Sequence, residues 1–181
     1  MIIMTAFEYI QLKAFARVDG VVLALVLVAC FACYILGLQA PACGMGALLL
    51  AVSVPFVVGW RLKKFRDEGL NGEISFLRAL GYVVLVFFYG GLLFALAQYA
   101  YFAYMDGGYL TRSLTEMMAQ PEYSEMLRQL GMTKQVDESL SMMGQMRPID
   151  LSLQALTMLL MVGPIVGVLL AAILQKKSKT Q

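Results

Sequence analysis

Cys30 and Cys33 form a CxxC inside an apolar run, and Cys43 follows across a short turn. Paired thiols can shuttle between dithiol and disulfide, but one of them must ionise, and a neighbouring cation normally lowers its pKa. No Lys or Arg lies near these cysteines in the chain, and a thiol relay needs a second pair that three cysteines do not supply. Small adaptable residues at helix contacts account for them equally well. The second candidate chemistry is soft-metal binding. Met105, Met117, Met118, Met126, Met132, Met142, Met143 and Met146 crowd one stretch, and Met142, Met143 and Met146 can converge on a single helical turn. Thioethers hold Cu(I), yet the spacing is also that of an apolar helix face, and methionine suits adaptable docking surfaces. The expectation is a partner-docking cap built on Met117, Met118, Met126, Met142, Met143 and Met146, with no metal. Acid/base work could fall to Asp106, Glu116, Glu122, Glu125, Asp137 or Glu138, but helix capping and solvation explain them. The chain has no histidine, which removes the commonest general base, proton relay and metal ligand together. No catalytic residue and no cofactor are expected; the chain does not read as an enzyme.

These residues must be positioned by helices in lipid. Of 181 residues 60% are hydrophobic and 14% charged, and the mean hydropathy is +0.74, far from a soluble average. The net charge of +2 and the lack of a basic stripe set nucleic acid aside. The central stretch is 79–104, uncharged and longer than the roughly 20 residues that cross a bilayer, with Gly81, Gly90, Gly91, Ala95 and Ala97 as small residues for close helix packing or self-association. Residues 1–17 read as an interfacial helix with Thr5 and Glu8 at capping-box spacing, or as an extension of the first span. The first span is 18–38; a signal peptide competes with it, but the apolar run exceeds a signal core. A turn at 39–41 returns the second span, 43–60, which contains Pro55 and ends at Trp60. A polar loop follows over 61–78. Beyond the third span, 105–148 reads as short amphipathic helices: Ser113 and Glu116 have capping-box spacing, Pro121 opens a second helix, Gly131 ends it and Thr133 caps a third. The last span is 149–174, with Gly163-Pro164 as a kink, and 175–181 is a basic tail. Ser53, Gln98, Gln154 and Thr157 are the polar residues within the spans, and no ionisable group stands away from a span end, which argues against ion-coupled transport.

Orientation follows from charge. The N-terminal segment through Asp19, the 61–78 loop and the tail hold ten Lys or Arg against five Asp or Glu, whereas 105–150 holds four against seven. Short basic loops stay in the cytoplasm, so both termini are expected there and the amphipathic helices outside. The fold expected is an all-α, integral membrane four-transmembrane-helix bundle with a small extracytoplasmic helical cap between spans three and four.

The run FRDEGLNGEISFLRALGYVVLVFFYGGLLFALAQYAYFAYMD resembles a bacterial four-span family catalogued as a domain of unknown function, family 4199. The resemblance implies a multi-pass protein of the bacterial cytoplasmic membrane with an outer helical insert, and it brings no catalytic residue. Four spans with a CxxC near one end also resemble quinone-coupled disulfide-forming membrane proteins, which would make Cys30 and Cys33 a thiol oxidoreductase. The missing second cysteine pair ranks that reading third. First stands a non-catalytic subunit or scaffold binding another membrane protein or lipid, and second an oligomeric carrier or channel for a small apolar solute or lipid.

Overall fold

The computed structural model describes residues 6–176, with side chains from Glu8 onward. It is all-α. Helix α1 runs Ala6–Gly37, α2 Pro41–Lys64 with one wider π-helical turn at Phe65–Gly69, α3 Phe76–Tyr104, α4 Tyr109–Met118, α5 Pro121–Gln129, α6 Thr133–Gln145 and α7 Pro148–Leu174. Four of these, α1, α2 with its π turn, α3 and α7, are long and apolar enough to cross a membrane, so the chain is a multi-pass membrane protein with a helical insert before its last span.

Helix α3 occupies the middle, with α1 on one side and α7 on the other, while α2 lies against α1 and reaches α7. Small residues set these approaches. A Cβ on Gly163 of α7 would stand 2.8 Å from Phe87 Cβ, and one on Gly167 would stand 2.9 Å from Leu80 Cδ1. On the other flank a Cβ on Gly20 of α1 would fall 2.7 Å from Tyr89 Cβ, and at the hairpin between α1 and α2 Gly37 and Gly44 meet backbone to backbone. Where lipid tails remove the hydrophobic drive between helices, such approaches supply the dispersion contact that holds them together. The core between them is Leu23, Val58, Leu62, Phe65, Tyr82, Val83, Val86 and Phe87.

Four expectations about the elements are corrected. Of the two readings of 1–17, the interfacial helix gives way from Ala6 on to the extension of the first span, because α1 is continuous. Leu12 and Ala16 are buried in the bundle core while Ile10 and Ala14 are exposed, so the segment extends the first span and only its Leu12–Ala16 side covers protein. The Thr5–Glu8 box lies outside the described residues. The loop expected over 61–78 is helical at both ends: α2 and its π turn continue to Gly69 and α3 begins at Phe76, since Leu62 and Phe65 are core residues and burying them keeps the chain helical. The turn is confined to 70–75, with Asn71 and Gly72 at positive φ. Ser113 sits inside α4 and caps nothing; the Asp106 carboxylate instead accepts the Gly108 and Leu110 N–H groups at 3.0 and 3.1 Å, satisfying donors that a helix start leaves free. Thr133 opens α6 without a side-chain cap. Pro121 and Gly131 do bound α5, with Gly131 at φ 67°.

Candidate functional site

The polar ties between the spans gather at the end where α1 begins and α7 ends. Asp19 stands on α1, Arg61 on α2 and Tyr82 on α3, and the first two flank apolar runs joined by a tight hairpin, which brings them level. Arg61 donates from Nε and Nη2 to Asp19 Oδ1, and the Tyr82 hydroxyl donates to Asp19 Oδ2. Asp19 is only 3% exposed. One carboxylate thus ties three spans together, with each of its oxygens engaged. The Phe65 ring stacks on Tyr82 at 4.7 Å and 6°, and Phe15 tilts against Phe65 at 5.0 Å, which sets aromatic surface along one side of the ion pair. A buried pair of this kind is held by geometry and hydrogen bonding rather than by net Coulomb gain.

Further ties lie at the same end. Arg78 donates to Glu8 Oε1 at 3.0 Å and to Gln11 Oε1 at 3.3 Å, and Gln11 in turn donates to the Gly69 carbonyl at 2.9 Å. Arg66 donates to the Leu174 carbonyl at 3.2 Å, neutralising part of the negative end of α7. Ile74 and Lys176 exchange two backbone hydrogen bonds of 3.0 Å, which pins the chain after α7 to the turn before α3. Between α1 and α2, beside the ion pair, opens a groove of about 330 Å³ lined by Ala14, Phe15, Val18, Asp19, Arg61, Lys64, Phe65 and Glu68. Lys64 and Glu68 face each other across 3.8 Å on its exposed rim.

The residues singled out from sequence fall elsewhere. Gly90 and Gly91 are taken up inside the chain: a Cβ on Gly90 would meet the Gly20 carbonyl and Leu23 at 3.0 Å, and one on Gly91 would meet Leu156 at 3.1 Å. Ala95 is buried and Ala97 half-buried, whereas a Cβ on Gly81 would point into open space. Cys30, Cys33 and Cys43 are free thiols, and Cys30 Sγ donates to the Ala47 carbonyl at 3.3 Å, the contact of a packing residue between α1 and α2. Helices α4, α5 and α6 pack chiefly against one another. Met117, Met118 and Met143 are half-buried among them, and Met126, Met142 and Met146 are exposed. Among the described residues no group of three or more His, Cys, Asp or Glu is placed to hold a metal ion. Gln98 is buried in α3, and its Oε1 has no hydrogen-bond partner. Gly91 meets Leu159 and Phe87 meets Gly163; continuing that antiparallel register brings Gln98 level with Ser152, whose hydroxyl is committed to the Pro148 carbonyl at 2.9 Å.

The Asp19–Arg61–Tyr82 cluster is what sequence reasoning missed. In the sequence Asp19 stands at a span edge and Arg61 at the start of a polar segment, each unremarkable alone. The signal available was their placement, an acid and a base at matching distances from one tight hairpin.

Among curated proteins and solved structures, none matches the chain. A family model described as "Protein of unknown function (DUF4199)" matches residues 19–176, from the buried aspartate to the residue that pairs with Ile74, and the chain belongs to that family.

Proposed function

We propose that the chain is a non-catalytic subunit or scaffold of the bacterial cytoplasmic membrane, with both termini in the cytoplasm, which engages another membrane protein through its outer helices. The observation that carries this reading is the uncovered apolar surface of the insert: Tyr123, Met126, Leu130, Met132, Met142 and Met146 are all between 36% and 62% exposed. These side chains lie on the short helices and on the turns that join them, outside the spans, where water rather than lipid is the solvent, and exposed methionine-rich surfaces suit adaptable recognition. The charge distribution supports the orientation, since the end bearing Lys63, Lys64, Arg66 and Lys176 is the basic one. Self-association through α3 has less support, because Gly90 and Gly91 are filled by α1 and α7 of the same chain.

The test is purification of the full chain from its membrane in mild detergent, followed by mass spectrometry of what travels with it at fixed stoichiometry. A second membrane protein in fixed ratio, released by the double change Met126→Ser and Met142→Ser, is the expected result. A chain that runs alone, with or without those substitutions, overturns the reading.

A further inference from the structure

The groove beside the ion pair carries a more specific assignment, which rests on the membrane placement of the four helices and is independent of the partner reading. Its depth is marked by Trp60, 58% exposed and directly before Arg61, whose guanidinium lies 5.4 Å from the indole centroid. Exposed tryptophan sits at the level of lipid headgroups. At that level the groove presents Ala14, Phe15 and Val18 of α1 opposite Arg61, Lys64, Phe65 and Glu68, and the α1 carboxylate that also lines it, Asp19, is neutralised by Arg61. Arg61 is already fixed by Asp19 through Nε and Nη2, and a guanidinium has five N–H donors, so donors remain on its far side in a side chain whose position is set in advance. The wall opposite α1 is supplied by α2 and by the π turn that follows Lys64 and carries Phe65 and Glu68; single π turns inside α-helices are frequent at functional sites.

We infer that this groove binds the headgroup of a zwitterionic aminophospholipid, with its phosphodiester on Arg61 and Lys64, its ammonium on Glu68 and its glycerol end over Phe15 and Val18. The charge pattern selects that chemistry. A phosphate alone would bring its negative charge against Glu68, and a cation alone would meet Lys64; a headgroup that carries both signs satisfies both. The Lys64–Glu68 contact it replaces is a 3.8 Å pair between side chains 43% and 63% exposed, which contributes little to stability and is readily exchanged. Each new charge-assisted contact is shorter and less hydrated than that pair, at the edge of the hydrocarbon layer.

The experiment is native mass spectrometry of the full chain, purified in detergent, stripped of lipid and titrated with phosphatidylethanolamine or phosphatidylglycerol. The parent protein is expected to retain phosphatidylethanolamine in preference, and Lys64→Ala to weaken that binding by about tenfold, the scale of one hydrogen bond to a charged group. Glu68→Gln should weaken phosphatidylethanolamine by a similar factor without weakening phosphatidylglycerol. Lys63→Ala, an exposed neighbour outside the groove, should change neither. Equal loss on Lys63→Ala and Lys64→Ala would reduce the site to a generally basic surface and overturn the inference. So would parent binding of phosphatidylglycerol as tight as that of phosphatidylethanolamine, or indifference of phosphatidylethanolamine to Glu68→Gln. Lys64 and Glu68 are exposed, so these variants keep the bundle intact; an unchanged melting temperature verifies that.

Discussion

Asp19 is the residue on which the arrangement of α1, α2 and α3 turns. Removing its charge in Asp19→Leu leaves the Arg61 guanidinium against aromatic surface with no counterion, and loss of one partner from a buried pair costs about 3–5 kcal/mol. The melting temperature in detergent should fall sharply. The triple change Asp19→Leu, Arg61→Met and Tyr82→Phe should recover most of that loss, because well-packed apolar replacements of a buried ion pair are often neutral; if the triple variant melts as low as the single one, the polar network itself contributes cohesion that apolar packing does not replace. Gln98 predicts the opposite sign. Its Oε1 is buried without a donor, and an unmet acceptor costs about 1–3 kcal/mol, so Gln98→Leu should raise the melting temperature. At this scale little of the site was legible. The residue types of Asp19 and Arg61 were visible, but their pairing depends on two helices of matching length, a long-range fact that no local window contains. Cys30 is engaged with a backbone carbonyl across the hairpin, a contact that depends on the same long-range helix pairing.

Elements were far more legible, because hydropathy and length alone separate spans from polar segments. The expected third span over 79–104 and last span over 149–174 agree with α3 and α7 to within a turn. The boundaries that shifted, at 1–17 and 61–78, did so for one reason: Leu12, Ala16, Leu62 and Phe65 look like ordinary residues of a polar segment and become core only when the neighbouring helices are in place. The capping signal failed at Ser113 because α4 begins earlier, at Tyr109, where Asp106 accepts the Gly108 and Leu110 N–H groups. Glycine in a helix has two meanings, and substitution separates them. Gly163→Ala drives a methyl group into Phe87, and overpacking of this kind costs about 1–3 kcal/mol. Gly81→Ala meets nothing and should be neutral or stabilising by up to about 1 kcal/mol through helix propensity. Equal melting temperatures for the two variants would mean that α3 and α7 do not cross at Phe87 and Gly163.

For the molecule as a whole, the proposed orientation rests on charge counted over all its short polar segments, and it predicts that a reporter inserted between α5 and α6 shows activity only outside the cytoplasm. A cytoplasmic signal there would invert the topology and place the groove at the opposite leaflet. The distribution of ties also has a mechanical consequence. Glu8, Gln11, Asp19, Arg61, Arg66, Arg78 and the Ile74–Lys176 exchange all lie at the end bearing the termini, while the other end of the bundle is held by side-chain contact such as Phe31 against Phe94, Tyr101 and Phe102. The α1–α2 hairpin closes its own end, so α3 and α7 are the tines, fastened by polar ties at one root and held elsewhere by side-chain contact. Under load or heat the free ends should part first, so amide exchange should spread from α4–α6 into the Tyr101 end of α3 while Tyr82 stays protected, and a partner that grips the insert would act with the longest available lever on the spacing of the spans.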